Sequence, residues 1–272
     1  MTDEPKETVA TEPKKLTRQG KDLVIVKANY NIQYLRLLVY GDSGVGKTVL
    51  MGTAADVQEM CPVLMCDVDL GLMSIAKRND IDVVSVRKSK DIDDVNLYLR
   101  ANPGRYKTVV IDSLTVAYNL MIRERMASSD RSSNEDPDVP GLRDWMNGTF
   151  KMRLLLQKFK TAPVNFLATA LVDEREEEGT NLRVIQPGLS RKLAREVGAE
   201  FDIVGYMYTR VQGKSIARYL QMAVFGNKSG KSRGALPLVL QAPTMTTIYK
   251  GAIQGLEIPD EPTTIEEEVK ES

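Results

Sequence analysis

The octet Gly41-Asp42-Ser43-Gly44-Val45-Gly46-Lys47-Thr48 stands between an apolar run, Leu35-Arg36-Leu37-Leu38-Val39-Tyr40, and an amphipathic segment from Val49 to Met60. Few sequence features restrict a fold so tightly, because this spacing requires a strand, a curled loop and a helix in that order. The glycines let successive backbone N–H groups curl around a phosphate, and the helix that follows turns its positive end toward it. Lys47 reaches the outer phosphates and Thr48 holds Mg²⁺ through its hydroxyl. Gly41 through Val49 is therefore read as a nucleotide cradle.

Composition bounds what can surround the cradle. The chain has 272 residues, 42% of them hydrophobic, enough for one sizeable core. The expected organisation is a disordered arm over residues 1–20, one domain over 21–256 and an acidic flexible tail over 257–272. Residues 1–20 carry almost no large apolar side chain to offset the entropy of ordering, and the tail sets many acids against Lys270. With 37 basic and 37 acidic residues, the overall field gives no reason to expect strong non-specific attraction to nucleic acid. The absence of histidine removes imidazole acid–base chemistry and histidine metal sites, leaving carboxylates, lysine, arginine and metal. Cys61 and Cys66 are too few for a structural zinc site and read as buried free thiols of a reducing compartment. No segment has the apolar length of a signal peptide or membrane span, so the expectation is a soluble cytoplasmic protein.

Between the ends, apolar runs alternate with helical patterns. Strands are expected at Leu35–Tyr40, Pro62–Asp67, Val83–Val86, Thr108–Asp112 and Val164–Ala170, and helices at Lys47–Met60, Asp91–Ala101, Leu114–Ala127 and Arg143–Lys160. This alternation predicts an α/β fold, a mainly parallel sheet flanked by helices. Phe201–Val211 and Ala217–Phe225, around a turn at 212–215, predict an antiparallel hairpin at the sheet edge. Ser128–Gly141 and Asp173–Gly188 read as long loops leaving the ligand-bearing edge. Trp145 and Phe150 are expected to pack in the core.

Thr108-Val109-Val110-Ile111-Asp112-Ser113 is a buried-strand pattern ending in an acid, which places Asp112 to orient a water on the Mg²⁺ held by Thr48. The second strand ends Asp67-Val68-Asp69, where Asp69 is the expected general base or water-orienting group and Asp67 the capping alternative. Gly226–Gly234 carries Lys228, Lys231 and Arg233 among glycines, a flexible cationic loop suited to a phosphate. Thr169 is either a polar sensor near the outer phosphate or a buried hydroxyl bonded to backbone.

The octet itself looks like that of small GTPases, but Asn227-Lys228-Ser229-Gly230 lacks the acid of a guanine-reading motif and Asp67–Gly71 has the wrong spacing for the switch motif. The order of the parts resembles the RecA-like P-loop ATPase core instead, over roughly Tyr34 to Pro237. Within it, the chain is similar to the compact phage ATP-binding single-strand annealing proteins and short recombinases, on Gly41–Thr48, Val109–Ser113, Asn165–Leu171 and Lys231–Pro237. The resemblance implies an ATPase with ATP and Mg²⁺ as cofactors, Lys47, Thr48 and Asp112 as nucleotide and metal residues, and Asp69 in place of the catalytic glutamate. It implies Lys231 and Arg233 acting across the interface of a homo-oligomer, ring or filament. It also implies single-stranded DNA as a partner, with Arg183, Arg191, Lys192 and Arg195 as contacts, and a single-strand-binding protein as a further one. Alternatives are a nucleotide-gated binding module or a partner-dependent ATPase of phage replication or packaging.

Overall fold

The computed structural model describes residues 14–18, 21–25, 34–128, 136–176 and 183–255. Residues 257–272 and most of the first loop expected at 128–141 lie outside them. The chain divides into two units, Met1–Gln33 and Tyr34–Ser272. In the first, β1 (Lys14–Arg18) and β2 (Lys21–Ile25) pair antiparallel, from Lys14 opposite Ile25 to Arg18 opposite Lys21. Lys14–Arg18 falls within the stretch expected to be a disordered arm; strand pairing is a backbone event that composition does not report.

The second unit is built on a nine-stranded sheet. Its parallel centre runs β9 (Ile203–Gln212), β3 (Arg36–Gly41), β7 (Asn165–Glu176), β6 (Thr108–Asp112), β4 (Val63–Asp67) and β5 (Ile81–Ser85). Beyond β9, β10 (Ser215–Gln221) and β11 (Val239–Gln241) continue antiparallel to the edge. β4 and β6 are buried at every residue, as expected of parallel strands covered on both faces.

Alternation along β3 divides the core. Leu38 and Tyr40 face one layer with Phe166, Ala168 and side chains of α2 (Ser89–Ala101), α3 (Leu114–Met126) and α4 (Leu142–Lys160). Leu37 and Val39 face the other, with Leu167, Met65 and side chains of α1 (Lys47–Gly52) and α6 (Met245–Ala252). Phe159, Phe166 and Phe201 form a stacked row, with centroids 5.1 and 5.2 Å apart. Cys66 is fully buried and its thiol is pushed up to about 12 by burial, while Cys61 is half-buried; both are free.

The sheet and its edge hairpin are as the sequence predicts, but several segments differ. The helix expected over Lys47–Met60 is α-helical only to Gly52 and continues as 3-10 turns at Thr53–Asp56 and Gln58–Met60. Gly52 weakens the helix interior, and the Thr53 hydroxyl both donates to the Leu50 carbonyl and accepts from the Met245 amide. Asp173–Gly188 is not one long loop: β7 runs on to Glu176 and β8 (Arg183–Pro187) returns antiparallel, pairing Val172 with Pro187 and Glu176 with Arg183. The inner part of this ribbon reaches the core at Val172 and Ile185, while its outer part, residues 173–176 with Arg183, is charged and shows no apolar alternation. β10 stops at Gln221 because that side chain donates to the carbonyls of Ala223 and Phe225 and turns the chain. Trp145 and Phe150 lie on the outer face of α4, 41% and 61% exposed, rather than in the core.

Candidate functional site

The P-loop leaves β3 at Gly41, where a Cβ would sit 2.3 Å from the Met207 carbonyl oxygen of the neighbouring strand. Only glycine tolerates that approach. Gly44 and Gly46 take φ of 80° and 104°, the left-handed region that glycine enters at low cost. The first helical bond of α1, Leu50 N–H to the Gly46 carbonyl, closes at 2.9 Å. Lys47 is buried, and its ammonium donates to the carbonyls of Gly41 at 2.8 Å and Asp42 at 2.7 Å. Burial lowers its pKa, opposed by the charges of Asp112, Asp42 and Asp69.

Opposite the P-loop, the ends of β4, β6 and β7 bring the expected acids together. Thr48 Oγ1 donates to Asp112 Oδ2 at 2.6 Å, and the fully buried Thr169 Oγ1 donates to Asp112 Oδ1. The Thr169 hydroxyl is thus bonded to a carboxylate of the site and not to backbone, which corrects the backbone-bonded reading. The Asp112 carbonyl accepts from the amides of Val68 at 2.8 Å and Asp69 at 3.3 Å, which ties the end of β4 to that of β6. Asp69 Oδ1 in turn accepts from Ser113 N–H at 3.2 Å and Ser113 Oγ at 3.1 Å. Burial first, and the nearby charge of Asp112 second, raise the pKa of Asp69, while the two Ser113 bonds oppose the rise. Asp67 is buried and accepts from the Gly71 amide at 3.3 Å, the capping role.

Other expected residues lie elsewhere. The Lys231 ammonium donates to the carbonyls of Gly198 and Phe201 within its own chain, at 2.5 and 2.7 Å. Arg233 is 66% exposed at its side chain and pairs with Asp202 at 3.2 Å. Arg183 is on β8, and Arg191, Lys192 and Arg195 are on α5 (Arg191–Glu196), so these four gather around the β7–β8 ribbon. Asn227 and Lys228 are engaged locally: the Asn227 carbonyl accepts from Ile185 at 2.7 Å, and the Lys228 ammonium lies 5.6 Å over the Tyr206 ring.

Sequence reasoning misses Arg218. It lies on β10, and its Nε donates to the Val45 carbonyl of the P-loop at 3.2 Å. A Cβ at Gly46 would meet that Nε at 2.9 Å. The available signal is alternation: Arg218 shares a strand face with Leu220, which packs in the cluster that contains Val45 and Met207. Ser113, in sequence only the end of a motif, orients Asp69. Beside the loop, a hollow of about 370 Å³ is lined by Asp42, Val45, Tyr206, Tyr208, Arg210 and Lys228, among others. Tyr206 and Tyr208 stack at 5.7 Å, and Tyr208 and Tyr219 at 5.3 Å.

A family profile described as AAA domain matches residues 33–233, which includes the P-loop, Asp69, Asp112 and Thr169. The chain belongs to that family. No curated protein matches it. Among solved structures, one described as an ATPase domain is similar at 12% identity and a TM-score of 0.45, over 79% of this chain and 83% of that one. The flagellar accessory protein FlaH from Methanocaldococcus jannaschii is similar at 12% identity and a TM-score of 0.38, over 74% and 83%.

The AAA-domain protein is thus an ATP-binding, RecA-like P-loop domain, and the family replaces the guanine-nucleotide alternative. Its donor set fits Mg²⁺: a hydroxyl and a carboxylate converge at Thr48 and Asp112, all-oxygen ligands for a hard cation. Among the described residues no group of three or more acidic or thiol side chains could by itself hold a metal ion. Among the same residues, no helix is long and apolar enough to cross a membrane.

Proposed function

We propose that this domain hydrolyses ATP with Mg²⁺ and couples the cycle to single-stranded DNA in phage recombination, by annealing or strand exchange. The observation that carries the hydrolytic part is the linked set Thr48–Asp112–Thr169 with Asp69 held beside it by Ser113. The P-loop amides and Lys47 bind and orient the phosphates. Thr48 and Asp112 would hold Mg²⁺, which when bound neutralises charge on the transferred phosphoryl group. Asp69 takes the water's proton or orients the water. Aspartate is shorter than the glutamate of similar proteins, but a raised pKa makes it a better proton acceptor near neutral pH. Tyr206 and Tyr208 in the hollow next to Val45 offer the nucleotide base a stacking wall.

The DNA-directed part rests on the resemblance and on the position of Arg183, Arg191, Lys192 and Arg195 around one ribbon. The acidic run beside them is partly answered from within, since Asp173 pairs with Arg175. The protein is proposed to act as a homo-oligomer in the cytoplasm, with Arg233 as the cation available to a neighbour's nucleotide. A single-strand-binding protein is the further proposed partner. A second reading, a nucleotide-gated module with incidental turnover, is favoured by one feature: Ser113 engages Asp69 Oδ1 twice, which leaves one carboxylate oxygen for water.

The test is steady-state ATP turnover by the full chain with and without single-stranded DNA, at low and moderate salt, beside Lys47→Ala. Stimulation by single strands that Lys47→Ala abolishes is the expected result. Turnover indifferent to DNA would remove the recombination reading and leave the ATPase; no turnover with intact ATP binding would favour the gate.

A further inference from the structure

We propose that a cavity between β8, α5 and the segment Ser229–Lys231, separate from the P-loop, is a second ligand site for a phosphorylated small molecule of nucleotide size. The cavity measures about 340 Å³ and its lining includes Arg175, Arg191, Arg195 and Lys231, with Glu176 as the acid among them. That volume falls within the range of small-molecule sites, roughly 300–1,000 Å³.

Two observations point inward. Gln186 is only 6% exposed and lines the cavity, yet its amide has no hydrogen-bond partner among the described residues. An amide carries two donors and an acceptor, which a ligand in the cavity can pair. Second, three of the cations, Arg175, Arg191 and Lys231, are held in position by their own chain. Lys231 donates to the Gly198 and Phe201 carbonyls, which orient an ammonium without cancelling its charge. Arg175 is anchored by Asp173 and the Leu189 carbonyl, and Arg191 donates to the Glu176 carbonyl at 3.4 Å. Fixed cations at one side, an unpaired amide, and apolar walls from Val184, Pro187, Val197 and Val204 describe a site for an anionic group attached to a flat, hydrogen-bonding body.

A polymer backbone lying across Arg183 and Lys192 would touch exposed cations and leave the buried Gln186 amide unpaired. A monomeric ligand can enter and pair it. This inference is independent of hydrolysis at the P-loop.

The test uses the full chain carrying Lys47→Ala, which weakens the P-loop site, and titrates AMP, inorganic phosphate and an oligothymidylate by calorimetry. Saturable AMP binding is expected. Adding Gln186→Leu should weaken AMP roughly tenfold or more while leaving phosphate binding nearly unchanged, and adding the exposed-site change Arg195→Ala should weaken both. No saturable binding of AMP or phosphate overturns the proposal. So does AMP binding that neither substitution alters, and so does oligothymidylate binding that depends on Gln186 while AMP does not bind.

Discussion

At the P-loop end of the sheet the polar side chains engage one another: Lys47 the loop carbonyls, Thr48 and Thr169 the two oxygens of Asp112, Ser113 the Asp69 carboxylate. In the cavity beside the β7–β8 ribbon, the Gln186 amide and the Arg195 guanidinium have no partner among the described residues. In the first region the polar groups satisfy one another, and a nucleotide with Mg²⁺ would exchange the Lys47 and Thr48 bonds for its own. In the second, Arg175 and Lys231 are oriented by their own chain around a cavity that the buried Gln186 also lines, the arrangement proposed above to take a ligand. One molecule thus holds a site whose side chains bond one another and a cavity whose cations are oriented largely by main-chain carbonyls.

Substitutions put this contrast at risk. The largest effect is expected from Lys47→Ala, which should reduce ATP turnover by roughly a thousandfold or more while AMP binding in the Gln186 cavity persists; parallel loss of both would merge the two sites. Next comes Asp69→Asn, expected to lower turnover by about a hundredfold with ATP affinity retained. The same residue sets the pH response. Because the folded protein raises the Asp69 pKa, the carboxyl takes up its proton as pH falls, at a higher pH than an ordinary aspartate, and turnover drops with it. A pH–rate profile should therefore show an acidic limb that Asp69→Asn removes.

Thr169→Val keeps the shape of a fully buried side chain but removes the donor to Asp112 Oδ1. Turnover should fall by roughly tenfold, measured at saturating ATP, since a hydrogen bond to a charged group contributes about 1.5–3 kcal/mol. The smallest effect is expected from Arg218→Ala. Losing the bond to the Val45 carbonyl should raise KM for ATP by about three- to tenfold with little change in kcat. A larger fall in kcat would make Arg218 part of the chemistry.

The two regions also differ in how far the sequence discloses them. The P-loop is contiguous, so the backbone geometry it needs is written in adjacent residues, and β6 can be read to the residue because a strand buried on both faces must be apolar until it meets its acid. Asp69 and Thr169 are legible as positions at strand ends, but their partners are not, because pairing across the sheet depends on register. The ribbon β7–β8 looks like a loop in sequence because its outer residues, 173–176 and Arg183, are charged, although Ile185 reaches the core. Gln186 therefore has no sequence signal at all. Trp145 and Phe150 show the converse: helical spacing places them together, but only the packing of α4 shows that they face outward.

Single-turnover hydrolysis of Mg²⁺-ATP by the unchanged chain and by Asp69→Asn, with nucleotide affinity determined separately on both, bears hardest on the assignment of Asp69. Binding should be equal and hydrolysis about a hundredfold slower in the variant. Equal rates in the two proteins would refute the assignment and place the water-orienting group somewhere other than the carboxylate that Ser113 holds beside Asp112.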